Sequence, residues 1–512
     1  MISGAARLRL RPGLRLSEQS SGDGSVAIVG AGETELPGGR QVEGGSEGAS
    51  DPLTIHGPGP GARAALERLA AAGGSRQELL AVAVDAGGHA AAAELFGLLG
   101  ELAQAELLCL LAEEQGRPLA LAIPATAEAL LRVREGEPPA AGRLSRHCCL
   151  RREGAALVLE AATDDLGVEL LDVEAVVVLH HLARAWSPAA GSRAAARVYE
   201  LLWRAGMVEP EHEVEALRDG ASSRDSTSSD SGVAVESWEW HDLVFHARSR
   251  SLGRRRPYGG TYLRSAEQET LPAVREQPSG PKVALARPDI SLGRPDFAAV
   301  EAGEPSFTAV LESRRSERRF GDPPIDAAQL GELLFRAARV RRRFASEHDE
   351  VSSRPYPGGG ALYELEIYPV VDRCTGLDTG LYHYCPLRHE LTQLAGRTRP
   401  VEALLDSAAR TAGSGRPQVL LVLAARFGRV FRKYSAIGYA TILKDVGVLD
   451  QTLSLVAAAM GLAACALGGG SGRRFAEATG NDPLVEGSVG ELIVGSRPDS
   501  GAASGSEAGP VR

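Results

Sequence analysis

Lys433 and Tyr434 stand side by side in ARFGRVFRKYSAIG, and an adjacent amine and phenol form an uncommon acid/base pair. Both groups have reference pKa values near ~10, so either acts near neutrality only in a site that shifts it. Three further clusters suit the same site. RRSERRF places Arg314, Arg315, Ser316 and Arg318 in what reads as one turn. Forked guanidiniums beside a hydroxyl are equipment for a phosphate and its polyol chain. PYPGGGALYE, with Pro357, Gly358, Gly359 and Gly360, lets backbone groups approach a flat ring closely. Gly468 and Gly469 open a glycine run ahead of RRFAEAT, where amides at a helix start favour an anion. Arg497, after the last strand, adds a cation. Arginine clusters are usually solvated faces and glycine runs are usually loops, so none of these is specific alone. In this order, they suit one planar, anionic cofactor.

The elements that must hold these groups fall in residues 304–498. FTAVLESRRSERRF reads as a helix ending in the basic cluster, and AAQLGELLFRAARV as a second helix. The Pro/Gly loop runs through ALYE into a strand, ELEIYPVV. TGLYHYCPLRHELTQL reads as a hairpin-like strand and helix entry, and PQVLLVLAAR as a buried strand. A long apolar helix follows Tyr434, and GELIVGSRP closes the domain. Strands and helices intermix, so the fold class is α+β.

Ahead of this domain the pattern repeats. Residues 1–140 give short strand runs, then helices ARAALERLAAA and SRQELLAVAVDA (Ser75 as N-cap), then a longer helix through AELFGLLGELAQAELLCLLAEE. Residues 141–215 give strands, the helix AVVVLHHLARAW and a longer helix ending at Gly206. These are two small winged-helix-like units in degenerate tandem. Residues 216–303 read as a polar linker and an extended connecting segment, and 499–512 as a disordered tail.

Several function classes are disfavoured. The chain has 512 residues, a net charge of −10 and a pI near 5.7, so it carries no bulk attraction to nucleic acid or anionic membrane. The winged-helix-like recognition helices hold few basic residues. VAIVGAGETELPGG has Glu35 where a dinucleotide fingerprint needs its third glycine. Adjacent Cys148 and Cys149 suit no tetrahedral metal site, so no metal is expected. Only six cysteines in a chain this long, a charged N-terminal stretch and no charge-free run of about 18 residues point to a cytoplasmic protein outside the membrane.

RRSERRF, RPYPGGGALYELEIYPVV, GLYHYCPLRHELTQL, FRKY, DVGVLDQTLSLVAAAMGL and GGG together resemble the nitroreductase superfamily, and within it the SagB type. These are azoline dehydrogenases of thiazole/oxazole-modified peptide biosynthesis. WHDLVFHARSR…PYGGTY and the tandem units resemble the longer, cyanobactin-oxidase-like members, whose N-terminal units are similar to precursor-peptide recognition elements. The resemblance implies FMN as cofactor. It puts Arg314, Arg315, Ser316 and Arg318 on its phosphate and ribityl chain, with Arg497 as a late phosphate contact. Pro357, Gly358, Gly359 and Gly360 fall beside the ring system, and Gly468 and Gly469 at its other face. Lys433 and Tyr434 match the family's catalytic pair. Three positions depart from the family: Gly358 stands where Ser is frequent, Val448 where His is common, and Ala440 where Arg is common.

The implied activity is oxidation of a thiazoline or oxazoline in a precursor peptide, with Tyr434 or Lys433 as base and the lysine holding its partner as phenolate or stabilising negative charge. The implied partners are the azoline-containing peptide, a cyclodehydratase and a second copy of the chain. One alternative keeps the fold and flavin but reduces a nitroaromatic or quinone with NAD(P)H. Another is a catalytically degenerate scaffold that binds a leader peptide.

Overall fold

The structure is a computed structural model that describes residues 7–11, 14–18, 26–30, 53–105, 107–124, 129, 133–134, 136–162, 166–210, 238–250, 259–262, 271–276 and 288–498. The low-complexity linker, the tail and the glycine turn after Gly30 lie outside these residues. The chain divides into two compact units, Met1–Pro257 and Tyr258–Arg512.

In the first unit a six-stranded antiparallel sheet takes strands from both expected winged-helix-like units. Arg7–Leu10, Leu108–Glu114 and Arg117–Pro124 continue into Leu166–Leu170, Ala156–Ala161 and Cys148–Glu153. The tandem pattern thus folds around one shared sheet and one apolar core running from Leu8 to Val208. Ser75 caps the helix Arg76–Gln104 in a full capping box with Glu78. That helix ends at Gln104, and ELLCLLAEE, expected to continue it, forms the strand Leu108–Glu114. Its run of Leu and Cys is buried against neighbouring strands, and burial outweighs helix propensity there. Arg76–Ala103 has the length and mean hydropathy of a membrane-crossing helix, although it contains no charge-free run of 18 residues. It also carries Glu78, Asp85, Glu94 and Glu101, breaks helical geometry at Gly88 and buries Leu79, Leu95, Leu99 and Leu102 in the core.

The second unit is α+β as expected. Its seven-stranded sheet runs Ile290–Ser291, Glu390–Ala395, Gly380–Cys385, Leu365–Val371, Val419–Arg426, Glu486–Gly495, Ala463–Leu467, with every neighbour antiparallel. Val419–Arg426 is buried along its whole length, because helices cover both sheet faces. Ala327–Ala338 and Gly438–Ala459 pack on one face, Arg399–Ala412 and Gly472–Thr479 on the other. A strand covered on both sides reads as one continuous apolar run, and each buried Val or Leu contributes roughly 1.5–3 kcal/mol.

Three local expectations are corrected. ELTQL is a strand, not a helix entry: His389 takes a left-handed turn (φ 61°), and Leu391 alternates inward from Glu390 and Thr392. RRSERRF is not one turn. The helix Phe307–Ser313 ends, Arg314 is already extended (ψ 126°), and the cluster runs out as open chain. Within 263–303 the expected extended run is interrupted by the helix Phe297–Gly303, capped by Asp296.

Candidate active site

The short helix Phe427–Phe431 leaves the central strand and hands the chain to a turn carrying Lys433 and Tyr434, both half-buried. Their amides donate to Val430 O at 3.1 and 2.8 Å. A second segment pins the turn from outside: Thr261 and Tyr262 donate to Lys433 O (3.0 and 3.1 Å), and Ser435 donates to Gly259 O. The Tyr262 and Tyr434 rings flank the Lys433 ammonium, with centroids 5.6 and 5.3 Å from Nζ, within cation–π range. Tyr262 also packs its ring on His348 at 4.4 Å.

The glycine loop meets this turn. Gly360 has φ 60°, and a Cβ there would sit 2.6 Å from Tyr434 Oη and 2.7 Å from Lys433 Nζ. A Cβ on Gly359 would collide with Thr441 of the long helix Gly438–Ala459. Only glycine at both positions lets the loop lie between that helix and the Lys–Tyr turn. Pro357 and Gly358 enter the loop, and Tyr363 closes it by donating its hydroxyl to Tyr356 O at 2.9 Å.

Beneath the loop lies a buried charged floor. The Gly359 amide donates to Asp445 (2.9 Å to Oδ2, 3.2 Å to Oδ1), and Asp445 faces the buried carboxyl of Glu364. Arg429 is buried and donates to three backbone carbonyls, those of Leu362 (2.6 Å), Glu350 (2.7 Å) and Leu271. It thereby ties the loop's exit to two other segments. Arg426 Nε lies 2.9 Å from Glu366, which also takes His383 Nε2 at 2.9 Å. Burial raises the Glu366 carboxyl, but Arg426 and His383 outweigh it and hold the group down at about 2. Burial pushes the Tyr434 phenol above its ordinary range, and the Asp445 and Glu364 carboxyls push it further. That direction opposes the phenolate form, one of the two roles implied for the pair.

The arginine cluster sits at the sheet edge. Glu317 donates its amide to Ala464 O and Gly321 to Ser496 O, each at 3.0 Å, which lays Arg314–Arg318 alongside the last two strands and next to Arg497. Arg315 pairs with Glu317 at 3.3 Å, while among the described residues Arg314, Arg318 and Arg497 have no carboxylate within ion-pair distance. Exposed Arg318 and Arg497 and half-buried Arg314, without counter-charge and with the Ser316 hydroxyl beside them in the chain, fit a phosphate. The 468–470 run departs from its expectation. Glu491 from strand Glu486–Gly495 accepts the Ser471 amide at 3.2 Å and presses on Gly470, while Ser471 caps the helix Gly472–Thr479. An internal carboxyl thus takes the place read as an anion site at that helix start. Gly468 stays open, with nothing within 4 Å of an added Cβ. The structure therefore gathers the expected residues in two groups: Lys433, Tyr434 and 357–360 in one, 314–318 and Arg497 in the other.

Glu364, Asp445, Arg429 and Tyr262 were not singled out in the sequence. A signal existed for the first three. ALYELEI puts two glutamates into a run otherwise fit for burial, DVG puts an aspartate on a helix's apolar face, and FGR supplies a cation nearby.

This domain matches the family model "Nitroreductase family" over residues 311–496, and residues 142–256 match that of "Cyanobactin oxidase ThcOx". The nitroreductase-family protein MJ1384 of Methanocaldococcus jannaschii is 30% identical over 159 residues, covering 31% of this chain and 76% of that protein. The microcin B17-processing protein McbC of Escherichia coli is 32% identical over 178 residues, covering 33% of this chain and 62% of McbC. Among solved structures, the E. coli microcin synthetase McbBCD complex with truncated pro-MccB17 bound is 24% identical over 36% of this chain and 68% of that one (TM-score 0.30). A Ralstonia eutropha nitroreductase-family structure is 22% identical over 48% of this chain and all of its own (TM-score 0.33). The chain belongs to the nitroreductase family. Over parts of its length it is also similar to the cyanobactin oxidase model and to McbC.

Proposed function

We propose that the protein is an FMN-dependent dehydrogenase that oxidises peptide thiazolines or oxazolines to azoles. The carrying observation is the meeting of Lys433 Nζ and Tyr434 Oη at Gly360, on the ring-side loop of a nitroreductase-family domain. The McbC and ThcOx matches support a peptide substrate. Arg314, Arg315, Ser316, Arg318 and Arg497 would hold the phosphate end, and 357–360, with Gly468 and Gly469, the ring end. When bound, FMN supplies the hydride acceptor of the oxidation.

Aromatising an azoline removes a proton from the ring carbon derived from the amino-acid α-position and a hydride from its neighbour. Tyr434, held as a neutral phenol, orients the ring by hydrogen bonding, and the free-amine form of Lys433 takes the proton, becoming the ammonium that the Tyr262 and Tyr434 rings flank. The aromatic pair around Lys433 fixes the amine's position, and the clamp at Thr261–Tyr262 fixes its backbone. A second copy of the chain is the expected partner. Exposed Phe307, Leu311, Tyr439 and Leu443 offer apolar surface for it. A cyclodehydratase would supply the azoline, and the N-terminal unit would grip the precursor peptide.

The test compares wild type with Lys433→Ala and Tyr434→Phe for flavin content and azoline-peptide oxidation. We expect both variants to retain flavin and lose at least ~100-fold in turnover, the scale of removing a general acid/base group. Parent-rate oxidation in both would sink the assignment. NAD(P)H consumption with a quinone, and no azoline turnover, would select the small-molecule reductase instead.

A further inference from the structure

The Gly359–Gly360 turn has reactive groups on one side and buried acids on the other. On the near side, Gly360 abuts Lys433 and Tyr434. On the far side, Gly359 donates its amide to both Asp445 oxygens, and Asp445 faces Glu364. Both Glu364 oxygens are buried, and no N–H or O–H of another residue reaches them. Apart from Glu364's own amide, the neighbour left to hydrogen-bond that carboxyl is Asp445, and two carboxylates cannot hydrogen-bond without a proton between them. Two like charges packed together in a desolvated site cannot both ionise at ordinary pH.

We propose that Glu364 and Asp445 share a single proton and that the charge of this pair sets the protonation of Tyr434 across the Gly359–Gly360 turn. The pair is a positioning device: it touches the loop and acts through it. Holding one proton it presents one negative charge, and on losing that proton it presents two. The other groups facing the pair are Arg354 and Tyr356 ahead of the loop, Arg429 behind it and Lys444 on the long helix. Arg354, Arg429 and Lys444 are cationic and favour ionisation. Desolvation opposes it, is the largest influence on both acids, and raises both. The second ionisation therefore occurs on the alkaline side of an ordinary carboxyl, and each added charge makes a phenolate at Tyr434 harder to form.

The inference rests on reading Lys433 and Tyr434 as the reactive pair, but its test does not use turnover. Infrared spectra of the full-length protein should show a protonated-carboxyl carbonyl band at neutral pH that disappears on alkaline titration. The band should be missing in Glu364→Gln. In protein labelled with ¹³C-tyrosine, the resonance lost in Tyr434→Phe reports the Tyr434 phenol. We expect its titration midpoint to fall in Glu364→Gln by on the order of half to one pH unit, the scale of removing one nearby charge. Absence of the band in wild type, or an unmoved Tyr434 midpoint in a folded Glu364→Gln, would overturn the proposal. The wild-type infrared titration decides the first point even if the variant fails to fold. Loss of flavin or azoline turnover would instead strike the functional reading and leave this one standing.

Discussion

The Lys–Tyr side of the catalytic domain and its arginine edge are built on opposite principles. Around Lys433 and Tyr434, atoms are fixed by close packing: glycines without room for a methyl group, an arginine spent on three carbonyls, acids hidden beneath a loop. Along Arg314–Arg318 and Arg497 only the backbone is tied to the sheet, and Arg315, Arg318 and Arg497 are exposed. Under the proposed function, the contrast follows from the chemistry each side would do. Moving a proton demands sub-ångström placement, and a small misplacement costs orders of magnitude. Holding a phosphate needs charge in the right neighbourhood and tolerates long, mobile side chains.

The contrast breaks most severely at the buried floor. Removing Glu366 strands Arg426 in the interior, and Glu366→Ala should cost about 3–5 kcal/mol in denaturant unfolding. The same group sets a pH signature. Its folded value of about 2 lies below the unfolded carboxylate value near ~4.3, so its stabilisation is present above the latter and is lost as pH falls through the former. Acid unfolding should therefore steepen between those values in wild type, and the slope should lessen in Glu366→Gln.

Next in size is Gly360→Val. The added side chain must push Lys433 and Tyr434 aside, and at φ 60° it is strained as well. Turnover should fall on the order of 100-fold while the fold, read by circular dichroism, persists. Arg314→Ala and Arg318→Ala should instead weaken flavin binding by roughly tenfold each, with the loss shrinking at high salt, and leave turnover of the flavin-saturated enzyme nearly intact. Fluorescence titration with FMN at two ionic strengths measures it. Smallest is Tyr262→Leu, which removes one face of the lysine's aromatic surround: at an exposed site this is worth about 0.5–1 kcal/mol, a two- to fivefold rate loss.

The same contrast explains what the sequence could disclose. The central strand was legible because VLLVLAAR has no polar residue before its end, and the Ser75 helix because its capping box is local. Adjacency made Lys433–Tyr434 visible, and the glycine loop announced itself by composition. The floor was hidden because its members are far apart in sequence. Glu364 and Asp445, or Arg429 and Leu271, become partners only through the sheet and the long helix. Strand Leu108–Glu114 was misread for a related reason: its helical periodicity is local, while the pairing that makes it a strand comes from Arg7–Leu10 and Arg117–Pro124. The glycine run before Ser471 showed an open anion site in the sequence, and the residue that fills it, Glu491, lies twenty positions away.

The central claim is that a bound flavin takes electrons from the peptide at a place defined by Lys433 and Tyr434. Anaerobic mixing of the purified, flavin-loaded protein with an azoline peptide, followed in the visible spectrum, tests it most directly. The account predicts that wild type bleaches within a single turnover, and that Lys433→Ala and Tyr434→Phe stay yellow although loaded to the same extent. A protein that binds no flavin, or variants that bleach as fast as wild type, would contradict it.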